Sequence, residues 1–374
     1  VDANGSIAII GTESDPPYKR PPLTKKLWQG MPIEKIWLGT EKHGADLILG
    51  RSVESLDLGT NVATDNQGER YTYGKLLLAT GVRPRVLPFG QHSIIAYRTT
   101  ADFRSLHALA QPARRVAVIG AGFIGAELAA SLNQNQIAVS MFFPGDGING
   151  SLFPADLANY LNDYYRQKGV NLYLGEEAFA LDQNGGRMRL RARNKAATNE
   201  REVDVDGVVS GIGTEPNTEL AEKAGITIDN GIVVDEQLRT NHPNVWAAGD
   251  VASFPGSALG RRRVEHEDNA KAMGRRAGRN MAGEEEPYTH LPMFYSDLFD
   301  LGYEAVGEVN SRHKTVADWK TPFREGVIYY LDDGRVRGVL LWNVWNQVDT
   351  ARALIKEGER VSEQSLKGKI PMTS

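Results

Sequence analysis

Hydrophobic residues in this chain gather in short β-branched runs, separated by glycine turns and amphipathic stretches, the pattern of strands alternating with helices. Gly5–Glu13 predicts a buried strand ending in an acidic residue, and Ala45–Leu49 and Val53–Leu58 predict two more. A hairpin turn is expected at Asp65–Gly68, and Tyr73–Thr80 predicts a strand that leaves through Ala79-Thr-Gly81. Ala101–Ala110 reads as a helix. Val116–Ile119 then runs into Gly120-Ala-Gly-Phe-Ile-Gly125, after which Phe123, Ile124, Leu128 and Leu132 keep roughly helical spacing. Ile137–Phe143 predicts the next strand, and Pro154–Lys168 a helix whose tyrosines belong to core or rim. Val170–Leu174, Met188–Ala192, Val203–Ser210, Gly231–Val234 and Asn244–Asp250 predict further strands, and Leu259–Asp268 the opening of a helix reaching Met281. Gly302–Val309 reads as a strand, Gly326–Leu331 and Val336–Trp342 as a hairpin about Asp333-Gly334, and Val348–Ile355 as a helix before a polar tail from about 363. The chain carries no solenoid-type repeat, but it suggests two similar halves in nested order.

The glycine triplet Gly120-x-Gly122-x-x-Gly125 sits between a strand and a helix, the context in which a diphosphate lies on free N–H groups at a helix N-terminus. About twenty residues further on, an NAD site carries an acid for the adenine ribose. Here Pro144-Gly145-Asp146 displaces it, and no arginine stands there for a 2′-phosphate, which favours NADH over NADPH. Tyr18-Lys-Arg-Pro-Pro-Leu-Thr-Lys25 places Arg20 and Lys25 about two prolines expected to keep the backbone extended. Those cations suit phosphates or an electron-rich ring, or a plain surface. Glu13 ends its strand as a ribose-binding acid would, or as a solvated strand end. Asp250, after Gly249, can bind sugar hydroxyls or cap a helix. Arg261–Arg263 is best read as a salt-bridged turn, and His266 as a structural histidine unless its placement says otherwise.

At 374 residues the chain holds about two or three domains. It has no cysteine, so any redox chemistry must belong to a cofactor. The net charge of −4 disfavours a general nucleic-acid role, and no apolar run approaches the ~20 residues that span a bilayer. No metal-ligand pattern stands out.

Tyr18-x-Arg-Pro-Pro-Leu-Thr-Lys25, Ala79-Thr-Gly81, Gly120-x-Gly-x-x-Gly125-x-Glu127, Gly213-x-Glu-Pro-Asn217 and Gly249-Asp250, in that order, resemble the two-dinucleotide-binding-domain flavoproteins of the pyridine nucleotide-disulfide reductase superfamily. Arg261-Arg-Arg-Val-Glu-His266, Met293-Phe-Tyr-Ser-Asp297, Gly302-Tyr-Glu-Ala-Val-Gly307 and Leu341-Trp-Asn343 narrow the resemblance to the apoptosis-inducing factor-like branch. It implies an α/β fold of two Rossmann-like domains. The FAD domain would take 1–103 and 238–287, with the NAD domain inserted at 104–237, and an α+β C-terminal domain would follow at 288–374.

By position, the resemblance puts Thr12 or Glu13, Arg20, Lys25, Val53, Arg85, Asp250, His266, Glu267 and Tyr295 on FAD. It puts Ala121, Gly122, Phe123, Ile124, Glu127, Gly213, Glu265, His266, Glu304 and Asn343 on the nicotinamide nucleotide. Tyr295 stands where the family has a ring-stacking tryptophan, and Gly145 where it has the ribose acid. The animal proteins' long insertion between about Val316 and Gly326 is nearly absent. The family's first strand, glycine turn and helix do not precede Val1, and the reading expects that unit upstream of a fragment.

The expected activity is that of an FAD-dependent NADH oxidoreductase, with NADPH left open, in which hydride passes from NADH to the flavin. The catalytic group would be Lys25, its partner Glu127, and His266. The acceptor would be a quinone, oxygen or a small iron–sulfur protein. Two alternatives stand beside it: a ferredoxin- or rubredoxin-type reductase, and an NADH-switched, redox-sensing interaction protein with little turnover. A homodimer is compatible with the resemblance. The expected location is cytoplasmic in a bacterium and mitochondrial in a eukaryote.

Overall fold

The computed structural model describes residues 5–184, 187–194 and 200–372. These form two compact units, one of residues 1–20, 32–83 and 215–294, the other of 21–31, 84–214 and 295–374.

In the first unit, Ile7–Gly11 pairs in parallel with Ala45–Leu49, and Leu76–Leu78 with Val245–Ala247. Val53–Asp57, Val62–Asp65 and Arg70–Thr72 form an antiparallel sheet. Its tight turn closes on the Asp65 carboxylate, which accepts the Gln67 and Glu69 N–H groups and the Tyr71 hydroxyl and pairs with Arg51 at 2.8 Å. The core gathers Trp246, Phe254, Leu238 and Met273, the last from the helix Glu267–Met281.

The structure departs from the sequence-based expectations in this unit. Ile7–Gly11 is half exposed rather than buried, because its sheet has two strands and Ile7 faces solvent at 54%. Gly260–Arg263 is a strand antiparallel to Ala252–Gly256, so the arginine run forms the second strand of a hairpin and the helix starts only at Glu267. Arg261 donates to the carbonyls of Val234 and Ser253, Arg262 to that of Leu259, and Arg263 to that of Asp250 while pairing with Glu265. The run is thus a strand held largely on backbone carbonyls, not the salt-bridged turn expected from the sequence.

The second unit centres on a five-stranded parallel sheet in the order Asn171–Leu174, Ala138–Phe143, Arg115–Ile119, Gly207–Ser210, Ile94–Ala96. The glycine triplet follows the middle strand, whose Val116, Ala117, Val118 and Ile119 are all buried. The stretch expected as one strand over Val203–Ser210 divides at Asp206. Glu200–Val205 joins an antiparallel sheet with Glu176–Asn184 and Arg187–Asn194, and only Gly207–Ser210 enters the parallel sheet. A second five-stranded sheet runs in the order Met293–Leu298, Leu301–Gly307, Arg335–Trp342, Glu325–Asp332, Lys314–Thr321. Phe153 meets its Tyr303 and Trp342 edge-to-face at 5.3 and 5.7 Å.

Two further expectations fail in this unit. Pro21–Thr24 is a 3₁₀ turn rather than extended chain, since proline's fixed φ also suits the first turn of a helix. The supposed polar tail folds: Ser362 caps Glu363–Leu366, and Leu366 and Ile370 are buried.

Candidate functional site

Each glycine of the triplet answers a different spatial demand. Gly120 adopts φ +103°, and a β-carbon there would lie 2.4 Å from the Gly211 carbonyl oxygen. A β-carbon on Gly125 would lie 2.0 Å from the Gly120 oxygen, so the third glycine lets the helix sit on the strand end. Around Gly122 there is nothing within 4 Å of the added carbon: this glycine leaves open space, not a contact. Gly122 is also the N-cap of Phe123–Gln134 and makes no side-chain capping bond. Open approach and the positive end of a helix dipole fit a diphosphate. The turn lies where the strand order reverses, between Ala138–Phe143 on one side and Gly207–Ser210 on the other. Open α/β sheets bind ligands at such points.

One turn into this helix, Glu127 is buried at 4% exposure and meets Lys25, itself buried, with Nζ 2.5 Å from Oε1. Two hydroxyls complete the carboxylate: Thr24 Oγ1 donates to Oε2 at 2.5 Å and Ser296 Oγ to Oε1 at 2.6 Å. The Tyr295 ring lies beside the lysine, its centroid 5.0 Å from Nζ. The Pro21–Thr24 turn is what holds Lys25 there. Its Leu23 carbonyl accepts the Tyr97 hydroxyl and the Trp28 indole, and its Thr24 carbonyl accepts Ser131.

Among the sequence-derived candidates, Lys25, Glu127, Tyr295 and the helix start from Ala121 to Ile124 thus share the second unit. Arg85 and Gly213 meet there too, through the Arg85 N–H and the Gly213 carbonyl at 2.9 Å. Asn343 sits at the edge of the second five-stranded sheet, where its carbonyl accepts the Gly302 N–H and its amide donates to Arg324. Glu304, from the adjoining strand, has one buried oxygen without a partner. Burial pushes its carboxyl up against the opposing pull of Arg352 and the Asn346 N–H.

The remaining candidates lie in the first unit. Glu13 accepts from Arg20 at 2.6 Å and from the Tyr18 hydroxyl, and the Arg20 guanidinium lies 4.9 Å from the Tyr18 ring centroid. Burial works against the Arg20 charge, while Tyr18, Glu13 and Asp250 favour it. The set of one cation and two acids suits hydroxyl and phosphate ligands. His266 stacks on Phe294 at 4.4 Å; burial pushes its imidazole down, against the pull of Asp250 and Glu265. Glu267 is engaged by Lys271 one helical turn on, at 2.5 Å. Thr12 is exposed, and Val53 begins its strand opposite Asp65.

Three contributors escaped the sequence reading: Thr24 and Ser296 on Glu127, and Tyr18 on Glu13. Thr24 and Tyr18 stand inside a motif already singled out. Ser296 does not declare itself, because a lone serine in a strand carries no periodic signal.

A strand–glycine turn–helix at a sheet's switch point, whose helix carries the carboxylate of a buried lysine–carboxylate pair, defines the class: a dinucleotide-binding α/β oxidoreductase. Residues 1–274 match the family model described as pyridine nucleotide-disulphide oxidoreductase, and residues 277–322 and 318–357 match the mitochondrion-associated C-terminal domain of apoptosis-inducing factor. The chain is 34% identical to apoptosis-inducing factor 1 of Dictyostelium discoideum, over 97% of its own length and 75% of the relative's. It is 32% identical to the ferredoxin reductase subunit of the 5,5′-dehydrodivanillate O-demethylase of Sphingobium, over 97% and 90% of the two chains. The crystal structure of a ferredoxin reductase from Rhodopseudomonas palustris superposes with a TM-score of 0.88 at 27% identity, covering 97% of this chain and 91% of that one. The chain belongs to the pyridine nucleotide-disulphide oxidoreductase family, in its apoptosis-inducing factor-like branch. It is an FAD-dependent NAD(P)H oxidoreductase. Its sequence has no cysteine, so the disulphide of the family name has no counterpart here.

Proposed function

We propose that this protein passes a hydride from NADH to FAD and the electrons onward, singly, to a small iron–sulfur carrier. Glu13, Arg20 and Asp250 would bind FAD. The second unit would hold NADH on the N-terminus of Phe123–Gln134. When bound, the flavin supplies the chemistry of accepting two electrons and releasing them one at a time. The chain's own residues place the nicotinamide, exclude water and keep a fixed charge beside the reacting ring.

The observation that carries this reading is the Lys25–Glu127 pair. A buried lysine ammonium pairs with a carboxylate of the helix that starts at the glycine turn, beside an aromatic side chain that the resemblance puts at the flavin. Lys25 would stand at the flavin's N5/O4 edge, where a cation favours the electron-rich reduced ring. Glu127 offsets the unfavourable burial of that cation. An iron–sulfur acceptor accords with the relatives named as ferredoxin reductases, and it needs a docking surface rather than a catalytic cysteine. Gly145, with no acid at the ribose position, leaves NADH held chiefly through its diphosphate and nicotinamide ends.

Stopped-flow reduction of FAD-replete protein by NADH tests the role of the lysine. Lys25→Ala is expected to slow flavin reduction by about tenfold or more, and an unchanged rate would remove Lys25 from the reaction. Steady-state turnover with a ferredoxin should greatly exceed that with oxygen. Slow turnover with every acceptor, together with an NADH-driven change in size on a gel-filtration column, would replace the reductase by a redox switch.

A further inference from the structure

Glu127 has more donors than an ion pair with Lys25 requires. Oε1 takes both the Lys25 ammonium and the Ser296 hydroxyl, and Oε2 takes the Thr24 hydroxyl. Both hydroxyls are buried, Ser296 completely. They come from distant parts of the chain, 103 and 169 residues from Glu127. Tyr303, also fully buried, feels the Glu127 charge, which adds to burial in pushing its hydroxyl up. The serine is fixed by its own place in the strand Met293–Leu298 of the second five-stranded sheet. Neutral hydroxyls that converge on a carboxylate spread its negative charge. They also occupy lone pairs that would otherwise pull the ammonium deeper into the pair.

We propose that Ser296 and Thr24 are positioning residues for Lys25, holding Glu127 in a charge-dispersed arrangement that leaves the lysine's positive field directed toward the bound cofactor. This rests on the reading of Lys25 as the cation at the flavin edge. Ser296 thereby acts on the reduction equilibrium through its hydroxyl, by way of Glu127 and Lys25, without touching the flavin itself. Hydrogen bonds to charged groups are among the stronger ones in a folded protein, and inside a low-dielectric site their effect reaches neighbouring charges.

The test measures the midpoint potential of FAD-loaded protein by dye-coupled redox titration. Ser296→Ala and Thr24→Val are each expected to lower the extent of flavin reduction at a fixed NADH/NAD⁺ ratio by about tenfold, which is ~30 mV for two electrons. Ser296→Thr restores the wild-type value. Thr24→Val preserves shape, so it carries the test should Ser296→Ala not fold. A second readout needs no flavin. In thermal unfolding of the cofactor-free protein, Lys25→Met and Ser296→Ala should give losses that are not additive, because both act on one carboxylate. If Lys25→Met leaves the potential unchanged, the flavin-edge reading of Lys25 fails, and the proposal with it. If Lys25→Met lowers the potential while Ser296→Ala and Thr24→Val leave it where it was, that reading stands and the positioning role is overturned. Additive thermal losses would also overturn the role.

Discussion

At the scale of single residues, the decisive contrast is between charges that are paired inside the protein and those that only decorate it. Lys25 and Glu127 are buried, and removal of one leaves the other charged in a medium that solvates it poorly. Lys25→Met is expected to destabilise the fold by about 3–5 kcal/mol in urea unfolding, with much of that recovered when Glu127→Leu is added. Arg83, by contrast, pairs with Glu215 and Glu219 through side chains about half exposed, and its loss should barely move the same midpoint. His266 gives the matching experiment in pH. Burial lowers the pKa of the folded imidazole, against the pull of Asp250, Glu265 and Asp268. Below about pH 6.5 the unfolded chain therefore takes up a proton that the folded protein refuses, and stability falls with falling pH. His266→Gln should flatten that limb of a urea-midpoint series between pH 7.5 and 5.

At the scale of elements, the glycine triplet is the part of the site most fully legible in the sequence, because each of its positions is forced by backbone sterics. The structure separates the three by kind. Gly125→Ala drives a β-carbon into the Gly120 carbonyl and should destabilise the protein. Gly122→Ala meets nothing, so stability should stay within about 0.5 kcal/mol while NADH affinity, read by isothermal titration, drops about tenfold or more. Elements with strong local signals were legible in the same way: Ala45–Leu49 was expected to the residue, and the hairpin at Asp333-Gly334 to within one or two. What stayed hidden was set by partners far along the chain. Glu176–Asn184 has only the short apolar run Ala178–Leu181 between acidic and polar ends, and reads as loop until Arg187–Asn194 pairs with it. Val203–Ser210 is continuous in hydrophobicity but serves two sheets, and only tertiary pairing reveals the break at Asp206. Within the site, Lys25 and Glu127 were legible from motifs. Ser296 was not, because its role exists only in the folded arrangement.

At the scale of the whole molecule, the second unit is tied together by a polar and aromatic latch as well as by its cores. Asp300 accepts from the Tyr164 hydroxyl, and pairs with Lys168 at 3.0 Å and Arg324 at 2.9 Å. Tyr160 stacks on Phe323 at 5.1 Å between the helix Ala155–Gln167 and the C-terminal segment. The Tyr164 hydrogen bond first, then Lys168 and Arg324, hold the Asp300 carboxyl well below the usual carboxylate range. Its contribution is thus complete above the unfolded value of about 3.9 and disappears as pH falls through the lowered folded one. Asp300→Asn should leave a shallower loss of thermal stability between pH 5 and pH 2. Because this latch is half exposed, added salt should weaken it as well.

The chain passes between its two units at 20/21, 31/32, 83/84, 214/215 and 294/295, and the eleven-residue piece 21–31 belongs to the unit that neither of its neighbours joins. During synthesis, Lys25 leaves the ribosome long before Glu127, and Glu127 long before Ser296, the contacts spanning 103 residues from Thr24 and 169 to Ser296. The carboxylate that steadies the lysine cannot receive its last hydroxyl until most of the protein has been made. A nascent chain stalled before residue 296 would own a glycine turn and a lysine but no finished electrostatic setting for them. The burial of the lysine is therefore fully compensated only after a segment 169 residues beyond its carboxylate partner has joined the site.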